Sequence, residues 1–150
     1  MISKEKGNIG EAVILAEFVK RNIQVAIPFG DNARYDLIAE FNGKLNKIQV
    51  KYCSQETDND SIMCRSSSSK NHTTNKRMDT YENDVDYIAF YIQPWDTACL
   101  VPISECSGYS FTIRRTPTKN NQKSGTHLAE DYSFDKILCV ETLHDEPKSE

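Results

Sequence analysis

Apolar residues near the start of the chain are spaced as in an amphipathic α-helix that covers residues 9–21. At about 100° per residue, Glu11 falls inside the apolar arc of this helix. Because an unpaired carboxylate is costly to bury, we expect Glu11 to have a partner. We expect the helix to end at Asn22. The arc contains Ala12, Ile14, Leu15, Ala16, Phe18 and Val19, and the opposite side carries Glu17, Lys20 and Arg21.

Shorter apolar runs predict strands. Residues 23–28 fit a strand that Pro28 ends, and residues 61–67 fit a short one. Residues 66–77 are polar and low in complexity, so we expect a mobile loop there. Residues 134–143 fit either a strand or a helix. Three further segments are rich in β-branched and aromatic residues and predict strands: 85–92, 98–103 and 111–115.

A β-hairpin is the strongest local prediction. Residues 35–52 read YDLIAEFNGKLNKIQVKY, and Asn42-Gly43 suits a two-residue turn because both residues tolerate positive φ. Such a turn places Asp36 opposite Gln49, with Lys51 as the diagonal neighbour on the same face. Facing Cβ atoms lie about 5 Å apart and diagonal ones about 7–8 Å. The register therefore gathers a carboxylate, an amide and an ammonium group.

Composition restricts the class of protein. The 150 residues are enough for one domain with a core, and 38% are hydrophobic. The sequence has neither an apolar run of about 18 residues nor a signal-peptide core at its N-terminus, so we expect a cytoplasmic protein without a membrane partner. The five cysteines are scattered without a Cys-X-X-Cys pair, which favours reduced thiols. We expect the tail from about residue 143 to fray.

The formal net charge of −4 hides two basic segments. Residues 61–78 and 107–129 each carry four basic residues and no acid, whereas residues 130–150 carry seven acids and two lysines. These segments are either solvated loops or nucleic-acid contacts, and charge alone does not decide between them.

The combination of Glu11, Asp36 and Lys51 permits two interpretations. Mg²⁺ prefers carboxylate and carbonyl oxygens, and a nearby lysine can orient water or stabilise charge on a phosphate. These residues could therefore hydrolyse phosphodiesters with a metal ion. The alternative is an ion pair between Asp36 and Lys51 on a half-solvated sheet face.

The segments KGNIGEAVILAEFVKR, IPFGDNARYDLI and KIQVKY together resemble the PD-(D/E)xK nuclease superfamily. Within it they are similar to small homing endonucleases encoded in cyanobacterial group I introns. The resemblance implies an α/β fold with a mixed β-sheet flanked by helices, and one endonuclease domain over residues 1–150. It also implies double-stranded DNA as substrate, Mg²⁺ as cofactor with Mn²⁺ as a substitute, and no nucleotide cofactor.

Carried over to this sequence, the resemblance implies that Asp36 is the central metal ligand and Lys51 the catalytic lysine. Glu11 would bind metal directly or through water, and the backbone carbonyl of Val50 would be a further ligand. Gln49 departs from the pattern, since the superfamily usually has Asp or Glu at this position. Its amide oxygen can still coordinate metal, but one negative charge is missing.

The basic segments then acquire a role in binding DNA through phosphate contacts and base edges. Because one site attacks one strand at a time, we also expect a homo-oligomer, a dimer or a tetramer, with residues 85–92 and 98–103 in its contact. The expected DNA-binding residues are Arg65, Lys70, Asn71, Lys76, Arg77, Arg114, Arg115, Lys119, Gln122 and Lys123.

Several alternatives remain open. The chain could be a Holliday-junction resolvase, a restriction enzyme, or a DNA-binding module that has lost cleavage. Cys53, Cys64 and His72 could bind zinc, but they lack a compact ligand pair. Cys99 or Cys106 could act as a nucleophile with His127, although buried structural cysteine is the simpler interpretation. We assign core or turn roles to Tyr81, Tyr87, Tyr91 and Trp95.

Overall fold

The structure, a computed structural model, describes residues 1–57, 60–72, 75–120 and 125–142, with the side chains of all of these except 70–72, 75–77 and 139–142. Predictions for residues 121–124 and for the tail from 143 lie outside the described residues. Three short 3₁₀ turns cover Gln93–Trp95, Ile103–Glu105 and Ala129–Tyr132. The helices and strands are α1 Ser3–Val19, β1 Gln24–Ala26, β2 Leu37–Phe41, β3 Lys44–Cys53, β4 Glu56–Thr57, β5 Ser61–Arg65, β6 Ser67–His72, β7 Asn75–Thr80, β8 Tyr87–Ile92, β9 Thr97–Pro102, β10 Ser110–Arg114, β11 His127–Leu128 and α2 Phe134–Thr142.

Helix α1 is longer than predicted and is rotated relative to the predicted arc. It begins at Ser3, where the Glu5 carboxylate accepts a hydrogen bond from the Ile2 N–H at 3.0 Å. Its buried residues are Gly10, Ile14 and Phe18, whereas Ala12, Ala16 and Val19 of the predicted arc are exposed. The expected phase was wrong because Gly10, which has no side chain, faces the sheet. An ideal Cβ on Gly10 would lie 3.4 Å from Val50 Cγ1.

Five strands form a mixed sheet in the order β1-β2-β3-β8-β9, with β3 antiparallel to β2 and parallel to β8. The predicted hairpin is confirmed in its register. Leu37 pairs with Ile48 and Phe41 with Lys44, and the turn residues Asn42 and Gly43 have φ of 58° and 64°. Both values lie in the left-handed region that a two-residue hairpin turn requires.

Residues 66–77 do not form the loop that we expected. Strands β6 and β7 pair antiparallel from Ser67–Thr80 to His72–Asn75, as a hairpin separate from the other sheets. Composition misled the prediction because polar Ser, Asn and Lys runs are typical of loops. The two ends of this hairpin are held by side chains from elsewhere in the chain, which local sequence does not reveal.

The core lies on both faces of the mixed sheet. On one face, α1 and α2 pack against the sheet, and Phe18 contacts Phe134 with ring centroids 5.0 Å apart. On the other face lies a four-stranded sheet in the order β11-β10-β5-β4. Residues 134–142 are therefore helical, because an amphipathic segment there covers the sheet face beside α1. No helix among the described residues is long and apolar enough to cross a membrane.

Candidate active site

Asp36 lies directly before β2, on the sheet face that is turned away from α1. Its backbone N–H donates to the Ile48 carbonyl at 2.9 Å, and its Oδ2 accepts from the Val50 N–H at 2.8 Å. The side chain is half-buried. Burial raises the pKa of the Asp36 carboxyl, and the Val50 hydrogen bond and the charge of Lys51 only partly oppose that rise. The carboxylate is thus rigidly placed and poorly solvated.

Glu11 reaches this carboxylate from the helix layer. It follows Gly10, whose close approach to Val50 and Tyr52 brings α1 down onto β3. Burial raises the pKa of Glu11, and the negative charge of Asp36 raises it further. The two carboxylates therefore repel each other across the edge of the sheet, and the predicted partner of Glu11 is a second acid rather than a base.

Gln49 and Val50 bring two oxygen atoms to the same region of β3. The Gln49 Nε2 donates to the Val50 carbonyl oxygen at 3.3 Å, so the amide is held against the carbonyl that follows it. Gln49 is half-buried and Val50 is buried. A 180° rotation of the amide exchanges Nε2 for Oε1 at this position.

Lys51 extends from β3 toward the β6–β7 hairpin rather than to Asp36. Its Nζ donates to the Ser67 carbonyl and to the Tyr81 hydroxyl, each at 3.1 Å, and lies 4.9 Å from the centroid of the Tyr81 ring. Within the described residues, Lys51 and Asp36 do not form an ion pair. The geometry therefore does not favour the alternative in which these two residues only neutralise each other.

The donor atoms fit a hard divalent cation. Mg²⁺ is usually held by one or two carboxylates, with water and phosphate oxygens completing its shell. Asp36, Glu11, the Val50 carbonyl and the Gln49 amide supply oxygen donors of that kind, and a cation would relieve the repulsion between the two acids. In the described part of the chain, no three His, Cys, Asp or Glu side chains lie close enough to hold a metal ion. A metal at Asp36 would therefore depend on the amide and backbone oxygens as well.

The cysteine alternatives lose support. Cys53, Cys64 and Cys99 are buried in the core. Burial raises the pKa of the Cys99 and Cys106 thiols to about 12, so the nucleophilic thiolate is disfavoured. His127 instead stacks on Phe111 and shares a 3.1 Å hydrogen bond with Tyr132, as a structural residue would.

The expected DNA-binding residues fall into separate regions. Arg65 is exposed at the end of β5 that leads into the hairpin, whereas Arg114 pairs with Ser61 at the other end of that strand. Four residues of antiparallel strand separate these ends by about 14 Å. Arg115 lies 6.0 Å from the Trp95 ring, and Lys119 is exposed. Lys70, Asn71, Lys76 and Arg77 lie on β6 and β7 with side chains outside the described residues, as are Gln122 and Lys123 entirely.

Sequence reasoning missed the residues that surround Lys51. Tyr81 was assigned to the core, and its ring is indeed buried, yet its hydroxyl accepts from the Lys51 ammonium. Arg34 lies 4.5 Å from the same ring and also bonds the hairpin. Partners 30 or more residues apart in the chain give no local signal.

Comparisons with known proteins agree with this geometry. A search of curated proteins finds no match. Among solved structures, the chain is similar to a bacterial homing endonuclease, I-Ssp6803I, with a TM-score of 0.74 and 22% identity over 98% of this chain and 100% of that chain. That similarity shows a common fold and confirms the expected α/β architecture. A model of the PD-(D/E)XK endonuclease family matches residues 1–135, and the chain therefore belongs to that family.

Proposed function

We propose that this protein is a site-specific endonuclease that cuts double-stranded DNA with the help of Mg²⁺, or of Mn²⁺ in its place. One observation carries the proposal: Asp36 is fixed by the Val50 N–H beside the Glu11 carboxylate, with Lys51 on the same strand. Family membership supports nuclease chemistry, since PD-(D/E)XK nucleases generally use divalent metal ions.

In the proposed reaction, Asp36, Glu11 and the Val50 carbonyl hold the ion, with Gln49 contributing Oε1 after rotation of its amide. The ion would polarise the scissile phosphate and lower the pKa of a bound water. The half-buried position of Asp36 excludes part of the surrounding water, which strengthens each charge interaction there.

Lys51 is the proposed catalytic lysine. An ammonium has three donors, and two of those on Lys51 are used by Ser67 and Tyr81. The third is available to a phosphate oxygen or to the attacking water. Water attacks phosphorus, the bond to the leaving oxygen breaks, and that oxygen gains a proton.

Site specificity and homing are the finer part of the proposal. The similarity to I-Ssp6803I and the separated basic residues, Arg65 at one end of the β5–β10 pair and Arg114 with Arg115 at the other, support a broad DNA footprint. We propose that the protein is encoded within an intron and promotes its homing. One candidate from another class, a DNA-binding module without cleavage, is favoured by a single observation, the neutral Gln49.

Cutting both strands requires two sites, so we propose a homo-oligomer, a dimer or a tetramer. Strands β8 and β9 do not supply the contact that we expected, because their side chains fill the core. Sedimentation at micromolar concentration, with and without DNA, tests the assembly. A species that stays near the chain mass of 17.1 kDa and yields only nicks would exclude it.

Incubation of the protein with randomised plasmid libraries and Mg²⁺ or Mn²⁺ tests the function. We expect linear products cut at one recurring sequence, and none with EDTA. Cleavage of four-way junctions irrespective of sequence would instead identify a resolvase. Sequence-specific binding without any cleavage would identify the DNA-binding module.

A further inference from the structure

We propose that Tyr81 is a positioning residue for the Lys51 ammonium, and that the base of the β6–β7 hairpin thereby sets where Lys51 points. The inference rests on the proposed function, in which Lys51 acts on the phosphate. We call Ser67, Ser68, Thr80 and Tyr81 the hairpin base, since they are the first residues of β6, the last of β7 and the residue that follows.

Both acceptors of the Lys51 ammonium belong to the hairpin base. The Ser67 carbonyl and the Tyr81 hydroxyl each lie 3.1 Å from Nζ, and they come from the two opposite strands of the hairpin. Ser67 pairs with Thr80 in the hairpin register, so these acceptors flank one base pair of the ladder. Two acceptors on different strands restrict the ammonium in two directions, whereas one would leave it free to rotate.

The acceptors themselves are held in place. Ser67 and Tyr81 are buried, at 0% and 5% exposure. Ser67 also donates its hydroxyl to the Tyr109 carbonyl at 3.2 Å, which joins the hairpin base to the strand pair beneath it. A buried carbonyl and a buried ring do not move independently of the core, so Lys51 is directed by a rigid frame.

Arg34 closes this frame from the loop before β2. Its guanidinium lies 4.5 Å from the Tyr81 ring centroid and donates to Ser68 Oγ at 2.8 Å and to the Thr80 carbonyl at 3.1 Å. One side chain therefore contacts both strands of the hairpin base and the tyrosine. Because Arg34 lies two residues before Asp36, the same loop also leads into the central carboxylate.

This arrangement has a consequence for substrate binding. Strands β6 and β7 extend from the hairpin base as a separate two-stranded sheet that carries basic residues. A DNA phosphate bound to that sheet loads the two strands that hold Lys51. Binding at the hairpin and the orientation of the lysine are therefore parts of one mechanical unit.

Tyr81→Phe tests the assignment because it removes one acceptor and keeps the ring. We expect the single-turnover cleavage rate to fall about 10-fold, the effect of one hydrogen bond to a charged group, with the Kd for DNA in EDTA unchanged. We also expect faster hydrogen exchange of the Lys51 ammonium in ¹⁵N-lysine NMR spectra, where its signal is identified by its loss in Lys51→Ala. This second readout needs neither metal nor DNA.

Tyr91→Phe is the matched control. It removes another tyrosine hydroxyl with one hydrogen bond, to Asp96 at 3.0 Å, on the α1 face of the sheet. We expect a similar loss of thermal stability, with cleavage and Lys51 exchange as in the wild type. Arg34→Gln loosens the hairpin base without touching Lys51, so it should raise the exchange rate in the direction of Tyr81→Phe.

Unchanged cleavage and unchanged Lys51 exchange in Tyr81→Phe would overturn the inference. A loss of DNA binding equal to the loss of rate would overturn it too, because Tyr81 would then serve binding rather than positioning. If the wild-type protein cuts no DNA, the proposed function fails, and the exchange rate still decides whether Tyr81 holds the ammonium.

Discussion

The Asp36 carboxylate accepts a hydrogen bond from the backbone N–H of Val50, with 2.8 Å between Oδ2 and N. This bond crosses the β2–β3 hairpin, so the register of the Asn42-Gly43 turn fixes Asp36 relative to the strand that carries Gln49 and Lys51. A carboxylate on a flexible loop would lose such placement. The position of the acid is thus a property of the hairpin, and the predictions below test what depends on it.

The helix acid depends on the close approach of α1 to β3. Gly10→Ala should be tolerated, because its Cβ would contact Val50 Cγ1 at 3.4 Å and alanine favours a helix by up to about 1 kcal/mol. Gly10→Leu should push α1 off the sheet, lower the free energy of unfolding by about 1–3 kcal/mol and reduce cleavage. Thermal melts and cleavage rates measure both effects.

Gly7→Leu is the control for that prediction, since an added Cβ at Gly7 on the same helix meets nothing within 4 Å. We expect it to keep both stability and activity. Wild-type cleavage by Gly10→Leu would show that the position of Glu11 does not matter.

The two acids should give opposite pH effects on activity and stability. The pKa of Glu11 and that of Asp36 are both raised, so cleavage should fall as the pH drops through these raised values and the acids become neutral. A raised folded-state pKa stabilises the fold below the unfolded-state pKa, and that contribution is lost as the pH rises through the folded-state value. Glu11→Gln should therefore raise Tm at neutral pH, with the gain vanishing in acid.

Glu17→Gln on the same helix is a control of opposite sign. The Glu17 carboxyl pairs with Lys20 and Arg21, which lower its pKa despite its burial. Its contribution to stability is present above the unfolded-state pKa and is lost as the pH falls through the folded-state value. Glu17→Gln should lower Tm at neutral pH. A lower Tm for Glu11→Gln as well would contradict the repulsion between Glu11 and Asp36.

The far basic region should govern the salt dependence of binding despite the acidic pI of about 5.4. Each phosphate contact contributes about −0.9 to the slope of log K against log salt. Neutralising Arg114, Arg115 and Lys119 together should flatten that slope by up to about three contacts. Lys20→Ala, on the exposed end of α1, should leave the slope alone. An unchanged slope in the triple variant would remove residues 114–119 from the interface.

Gln49→Glu should be active and should bind metal more tightly. It restores a third negative charge beside Asp36, and ligand charge sets the affinity for a hard cation. We expect the Mg²⁺ concentration for half-maximal cleavage to fall about tenfold, and Tm without metal to fall because the acids repel each other. Complete inactivity would show that the Gln49 amide is needed as a donor, as in its bond to the Val50 carbonyl.

The parts of this molecule that could be predicted from sequence are those with local causes. A two-residue turn and an alternating pattern determine the β2–β3 register, so Asp36, Gln49 and Lys51 could be placed on one face before the structure was known. The phase of α1 could not, because a glycine facing β3 carries no hydrophobic signal. The β6–β7 hairpin looked like a loop because Arg34 and Lys51, which hold its ends, are distant in sequence.

Tyr81 shows the same limit at the site itself. The apolar pattern correctly placed its ring in the core, since a buried tyrosine and a catalytic neighbour have the same composition. Only the fold shows that its hydroxyl meets the Lys51 ammonium, 30 positions away in the chain.

The central claim is that Asp36 and Lys51 act on the scissile phosphate. The direct measurement compares plasmid cleavage and DNA affinity for Asp36→Ala and Lys51→Ala with Glu40→Ala and Lys47→Ala, which remove exposed charges from the same strands. The first pair should lose cleavage while DNA affinity in EDTA and the folded structure are retained, and the second pair should cut like the wild type. Wild-type cleavage by either member of the first pair, or parallel loss of folding and binding, would contradict the account.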